Sequence, residues 1–426
     1  MFVYKNKQIN IYDFLFSKSS RYILITLFTS LISILKNYVF MRFFPLRDIG
    51  IVTFIQSIIM LIGFTQLGLL NGGYRLISKS NNQSERINSF IFSYNSYLFI
   101  IVVVVVFMID ALFGIKYELS LVYFSIFAAF VTVLANWVSN LYIAEQKLGL
   151  LNKLNVISLF VSFIPLIFFQ ISSIWSGVMF VTSQSIIFII FAFYWGKYKF
   201  NFIRLDRRMF VYILSVGFVP FLLNIVGGVF MLFERWIIKE DLGVESLGSY
   251  YIVFAYTMFF QIVPTSLNNI VFPVALRSTN KKTESYLMVV QFKSYFIKLI
   301  GYSIFMGFLT YFLSETLIQF FLPQYLSSIG LVKIVFWGLL ILNLSQPFML
   351  IFQIKMDFKK LLLVYALAPI ITLVCYYILV FRQNQQLEVY AFLNCMNNVL
   401  ISLIAFCVFY FAKIRKLCYL KLTSVR

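Results

Sequence analysis

Long apolar runs separated by short polar connections divide the chain, and this pattern leaves few folds open. A bilayer core about 30 Å thick is crossed by about 20 apolar residues as helix. Runs of that kind recur about twelve times along the 426 residues. The first six lie near 22–43, 49–71, 89–113, 119–142, 154–171 and 174–195, and the second six near 210–233, 249–273, 296–314, 331–352, 361–381 and 389–411. Lipid offers no partner to a backbone N–H or C=O, so helices are the expected solution. An all-α, polytopic membrane protein follows. With 62% hydrophobic and 12% charged residues, a soluble globular chain and a disordered one are both excluded.

The connections are short, none much longer than about 20 residues. No soluble catalytic domain is inserted, and any activity belongs inside the bundle or at its mouths. The chain has no histidine, which removes every mechanism built on an imidazole. Cys375, Cys395, Cys407 and Cys418 form no CxxC pair and read as small packing residues, with no metal and no cofactor expected. The N-terminal stretch MFVYKNKQINIYDFLFSKSSR is polar and basic, and the first run after it shows no small-residue cleavage site.

Basic residues set the expected topology. With the N-terminus in the cytoplasm, 26 of the 35 Lys and Arg fall on the cytoplasmic side and 6 on the opposite side. Lys36, Lys298 and Lys333 fall within spans. The bias alternates connection by connection, a positive-inside pattern that puts both termini in the cytoplasm. Most of the +20 net charge is therefore a topology signal and calls for no nucleic-acid partner.

An internal repeat is also visible. Gly50 and Gly248 open comparable spans, Arg75 and Arg277 close them, and Lys147 and Lys355 end the next pair. These pairs are 198, 202 and 208 residues apart. A parallel repeat predicts two six-helix lobes, residues 1–200 and 201–426, with a cavity at their interface.

At these residues the chain resembles a known family. FFPLRDIGIVTFIQSIIMLIGFTQLGLLNGGYR is similar to the first signature of polysaccharide-type flippases of the multidrug/oligosaccharidyl-lipid/polysaccharide exporter superfamily. VGFVPFLLNIVGGVFMLFERWIIKEDLGVESLGSYYIVFAY resembles the second, with Glu234 where Asp is commoner, and IAEQKLGLLNKLNV the loop after the fourth helix. The resemblance implies a Wzx-type flippase of V-shaped exporter fold working by alternating access. Its cargo would be an undecaprenyl-diphosphate-linked oligosaccharide, such as an O-antigen repeat unit, moved from the cytoplasmic to the periplasmic leaflet. Membrane lipids, and the polymerase and chain-length regulator of the same pathway, are the partners it implies.

Ionisable groups within spans are candidates for function. Lys36 lies well inside the first span, with Arg42 six residues on. Such a basic pair suits a diphosphate in transit. Arg75 closes the second span, and Glu234 with Arg235 ends the seventh, where a local ion pair is the plainer expectation. Among the amides in spans, Gln66, Asn224 and Asn268 are assigned with these residues to a sugar-compatible lining. Pro220, Gly227 and Gly228 would let the seventh helix bend. No Asp or Glu is expected near the middle of a span, so the inside-negative potential, worth about 2.3 kcal/mol per charge per 100 mV, is the expected driving force. The alternatives are a same-fold exporter of a drug or another lipid-linked intermediate and, less favoured for want of a large outer loop, a membrane polymerase. A purely structural scaffold would have less use for so many amides.

Overall fold

The computed structural model describes residues 18–79, 83–114, 119–196, 198–199, 201–278, 284–354, 357–380 and 386–423. Side chains at 18–27, 79, 113, 223–224, 269–278, 284–292, 294, 353–354, 379–380 and 412–423 are not among those described. The N-terminal basic arm, Lys116 and the side chain of Asn224 thus lie outside the described residues.

All regular structure among the described residues is helical. Ten helices there are long and apolar enough to cross a membrane, or eleven with the broken helix after residue 207. A further helix, α1 (Lys18–Phe43), stands where the first span is expected. The chain divides into two compact units, Met1–Phe40 with Ile55–Phe221 and Met41–Phe54 with Leu222–Arg426. The connection between α1 and α2 (Leu46–Gly63) therefore belongs to the second unit.

The first unit continues through α3 (Leu69–Lys79), α4 (Ser84–Phe113), α5 (Leu119–Ala144), α6 (Leu148–Val161) and α7 (Ser173–Tyr194). Its centre is α5, whose apolar window is 56% buried, against 11% for α4. One face of α4 presents Ile100, Ile101, Val104, Val105 and Phe107 outward, as a lipid-facing helix does. Trp137, Val138 and Leu141 of α5 pack with Leu69, Ile77, Ile91, Leu154 and Ile213.

Two of the expected spans in the first unit are interrupted. The run at 49–71 is one helix by composition, but α2 ends at Gly63 and a 3-10 turn covers Phe64–Gln66. Leu67 and Gly68 then take positive φ, 53° and 93°, and α3 restarts the chain as a short amphipathic helix. Arg75 therefore sits within α3 instead of closing the second span. The run at 154–171 breaks after α6, where Pro165 begins a 3-10 turn over Ile164–Phe168. Proline has no N–H to give and crowds the carbonyl four residues back. Ser172 then caps α7 by accepting from the Trp175 N–H at 3.4 Å.

The helix α8 (Arg207–Leu242) is 36 residues long. It breaks between Leu222 and Ile225, just after Pro220, where the first unit ends and the second begins. It does not stop near 233 as expected: Trp236, Ile237 and Ile238 continue the apolar pattern, and Gly243, at φ 86°, ends it. The second unit follows with α9 (Val244–Ser278), α10 (Glu284–Phe308), α11 (Ser314–Phe321), α12 (Ile329–Ile354), α13 (Phe358–Val380) and α14 (Leu387–Thr423). A π-turn at Leu309–Leu313 joins α10 to α11, and a 3-10 turn at Pro323–Ser328 leads into α12. Its apolar core joins Met349 and Phe352 of α12 to Leu361, Val364 and Ala368 of α13 and Ala405 of α14.

Helices in lipid associate best where small residues let backbones approach. In the first unit α3 crosses the start of α8 in this way. A Cβ on Gly217 would lie 2.1 Å from the Gly68 carbonyl oxygen, and one on Gly72 2.1 Å from that of Ile213. A Cβ on Gly227 would meet nothing within 4 Å. Gly217→Ala is expected to destabilise by roughly 1–3 kcal/mol through overpacking, and Gly227→Ala to be tolerated. Melting of the detergent-purified variants followed by tryptophan fluorescence checks the contrast.

Candidate functional site

Each unit carries its own polar cluster. In the first, Lys36 lies in α1 and is 7% exposed. It does not snorkel to the surface. Its Nζ donates to Ser162 Oγ at 2.8 Å and stands 4.8 Å from the centre of the Phe180 ring. Ser162 is the first residue after α6, at the interruption of the fifth span. Its hydroxyl donates to the Leu159 carbonyl at 2.7 Å, and Ser183 Oγ of α7 donates to the Ser162 carbonyl at 3.2 Å. The break in α6 thus supplies the hydroxyl that holds the amine. None of the three ion pairs among the described residues involves Lys36.

Arg42, six residues on, is exposed, whereas Lys36 is buried. Gln66 stands in the 3-10 turn that ends α2, with its Oε1 buried and unpartnered. Nearby on the chain, the Tyr94 hydroxyl donates to the Thr65 carbonyl at 3.3 Å. Thr65 and Asn95 line a small pocket with Phe99 and Phe130, and the buried Asn95 Nδ2 lacks a partner. Arg75 is half-buried on α3.

In the second unit, Glu234 and Arg235 are both buried, at 6% and 3% exposure. They form no ion pair with each other: the ion pairs among the described residues are Lys147–Glu145, Lys239–Glu240 and Lys360–Asp357. Neighbours on a helix point about 100° apart and do not face each other. Glu234 turns to α9 and α14, accepting from the Tyr250 hydroxyl at 2.6 Å and from Asn394 Nδ2 at 2.9 Å. Asn398 donates to Asn394 Oδ1 at 3.1 Å and extends the network. The Arg235 guanidinium lies 4.7 Å from the centre of the Phe254 ring.

Since α8 runs eight residues past Glu234, the carboxylate is an internal group and not a helix-end one. This corrects the expectation that carboxylates lie only at span ends. Two turns on, Asp241 accepts from the Tyr376 and Tyr390 hydroxyls at 2.5 and 2.7 Å. Glu234, Thr372, Tyr376 and Tyr390 line a small pocket. Sequence reasoning passed over Asp241 and these tyrosines; the available signal was the seven-residue spacing of two acids on one helix. Asn268 accepts from the Tyr295 hydroxyl and donates to Gln346 Oε1 at 3.3 Å, tying α9 to α10 and α12. It serves there as interhelical adhesion. Of the hinge candidates, Pro220 lies just ahead of the break in α8, Gly227 is exposed and Gly228 buried.

No family model and no curated protein matches the chain. Solved structures do. One is the inward-facing conformation of a multidrug resistance MATE family transporter of the MOP superfamily, 14% identical, with TM-score 0.69 over 90% of this chain and 94% of that one. Another is a ligand complex of the MATE multidrug transporter DinF-BH, 13% identical, with TM-score 0.66 over 91% and 93%. A third, from Pyrococcus furiosus, is described as a MOP superfamily transporter whose reversed binding-pocket polarity suggests a different function. It is 13% identical, with TM-score 0.58 over 92% of each chain. The fold of this chain is that of the MATE transporters.

Removing Glu234 strands two buried donors. Glu234→Ala is expected to destabilise the protein by about 2–4 kcal/mol, and Glu234→Gln, which keeps an acceptor, by clearly less. Thermal denaturation in detergent compares the two.

Proposed function

We propose that this protein is a flippase for polyprenyl-diphosphate-linked oligosaccharides, with an O-antigen type repeat unit as cargo. It moves them from the cytoplasmic to the periplasmic leaflet by alternating access. The observation that carries this reading is Lys36: a buried amine held by one hydroxyl and a ring, with no carboxylate ion-paired to it, in a fold shared with exporters. A buried amine without a counter-ion is costly to keep charged, and an anionic cargo would offset that cost. Arg42, Arg75 and Arg235 add further cationic stations for the diphosphate, and the amides Gln66 and Asn224 offer hydrogen bonds to a glycan. A protein of this function sits in the cell inner membrane with both termini cytoplasmic. It delivers its cargo to the polymerase and chain-length regulator.

A second reading is favoured by one observation. Glu234 places a carboxylate inside the second unit, as a cation-coupled exporter of a drug or of another lipid-linked intermediate would require. The two readings differ in cargo and in driving force.

A deletion strain separates them. Loss of the gene should cause lipid-linked repeat units to accumulate facing the cytoplasm, and the wild-type gene should rescue. Lys36→Met, at normal protein levels, should rescue at least tenfold less well, while Lys36→Arg should retain most of the activity. Single repeat units gathering on the periplasmic side would point to a polymerase instead and sink the flippase reading. In sealed vesicles, transport that ignores an imposed potential but follows a cation gradient would favour the second reading.

A further inference from the structure

The chain between α7 and α8 is fastened to the first unit at several points. α7 ends at Tyr194 and α8 begins at Arg207. A Cβ on Gly196 would lie 2.1 Å from the Tyr142 hydroxyl of α5, so the backbone lies against that side chain. Tyr198 is buried, and its hydroxyl donates to Asn88 Oδ1 of α4, which also accepts from the Trp137 indole N–H at 2.8 Å. Five residues further along both partners, the Ile203 N–H donates to Ser93 Oγ at 2.8 Å. The Phe202 ring packs edge-on against Phe92 at 5.0 Å. These anchors hold the connection along the first turns of α4 and offset the entropy lost in ordering it.

What the anchors present is basic and apolar at once. Lys199, Arg204, Arg207 and Arg208 are exposed and belong to none of the three ion pairs among the described residues. Asp206 is the one acid between Tyr194 and Arg208. Its Oδ1 accepts from the Arg208 N–H at 3.0 Å, so it serves the start of α8. Among the cations, Trp195 and Phe202 are 55% and 64% exposed. A soluble anion gains nothing from exposed rings. A lipid surface does, because aromatic residues settle at the headgroup level while Lys and Arg reach the phosphates. α7 is long and apolar enough to cross a membrane and ends one residue before Trp195, which puts this connection at that level.

We propose that the connection between α7 and α8 is a docking surface for anionic phospholipid headgroups, in the leaflet that the positive-inside pattern assigns to the cytoplasm. The four cations meet lipid phosphates while Trp195 and Phe202 enter the boundary between headgroups and acyl chains. The Asn88 and Ser93 anchors fix the array before a lipid arrives, so little ordering remains to oppose binding. The surface belongs to the first unit whatever the cargo is, and it stands apart from the flippase reading.

The test uses the full chain in phosphatidylcholine bilayers, with brominated phosphatidylglycerol or brominated phosphatidylcholine as the quencher. The Trp195 signal is the tryptophan fluorescence of wild type less that of Trp195→Phe. Phosphatidylglycerol should associate at Trp195 roughly fivefold more strongly than phosphatidylcholine, or better. Lys199→Gln with Arg204→Gln should bring that ratio close to one, and Arg204→Gln with Arg208→Gln stands in if the first pair folds poorly. Arg86→Gln with Lys153→Gln, at two other exposed bases of the first unit, should leave the ratio unchanged. Ser93→Ala keeps every charge but frees the Ile203 N–H, and should lower the ratio about twofold. Equal quenching by the two lipids in wild type overturns the proposal. So does a loss with Arg86 and Lys153 as large as that with Lys199 and Arg204, which would reduce the effect to net charge. An unchanged ratio in Ser93→Ala overturns the fixed array. Displacement of phosphatidylglycerol by an equal amount of farnesyl diphosphate overturns the phospholipid assignment, since the surface would then receive prenyl diphosphates.

Discussion

Lipid gives a backbone no hydrogen bonds, and the rest of this structure follows from that deficit. Regular helix meets it over most of the chain. Wherever a helix stops short of the surface, side chains must take over. At the end of α2 the Thr65 hydroxyl donates to the Ile62 carbonyl at 2.5 Å, and Tyr94 to that of Thr65. At the end of α6, Ser162 serves Leu159, Ser183 serves Ser162, and Ser176 serves Pro165 at 2.7 Å. The residues that repair the breaks are those that make the first unit polar inside. Lys36 is held at one of these repairs, so its placement and the irregularity of α6 have a common cause.

A second consequence concerns glycine. When helices gain little from burying apolar surface, close backbone approach matters more. Gly68, Gly72 and Gly217 supply it in the first unit, Gly50 and Gly248 in the second. Gly50 and Gly248 are the residues that the expected repeat would align, and each lies against the helix that carries the other.

The helices were legible because the apolar runs are long and the turns between them short. The interruptions were partly legible. Pro165 and Pro220 are visible signals, whereas Leu67 at φ 53° is not, because leucine seldom adopts that region. The end of α8 was placed too early because charge was read as a boundary. Glu234, Arg235 and Lys239 look like a polar rim in one dimension, but Phe254, Phe54, Tyr250 and Asn394 come from distant parts of the chain to cover them. Asn268, expected in a sugar-compatible lining, bonds to Tyr295 and Gln346 and so ties α9 to α10 and α12. No single-residue property distinguishes these outcomes; only the neighbours do.

Charge sorting inside the two units carries the functional argument furthest. A carboxylate and a guanidinium at adjacent positions could have neutralised each other by bending toward one another. Instead the helix sends Glu234 to a phenol and an amide, and Arg235 to a ring. Neither takes part in an ion pair among the described residues. Lys36 is treated in the same way, with a hydroxyl and a ring in place of a carboxylate. Folding alone is better served by apolar residues of similar volume than by buried charges. On the proposed function, the attraction that no ion pair takes up is what a diphosphate on the cargo would use.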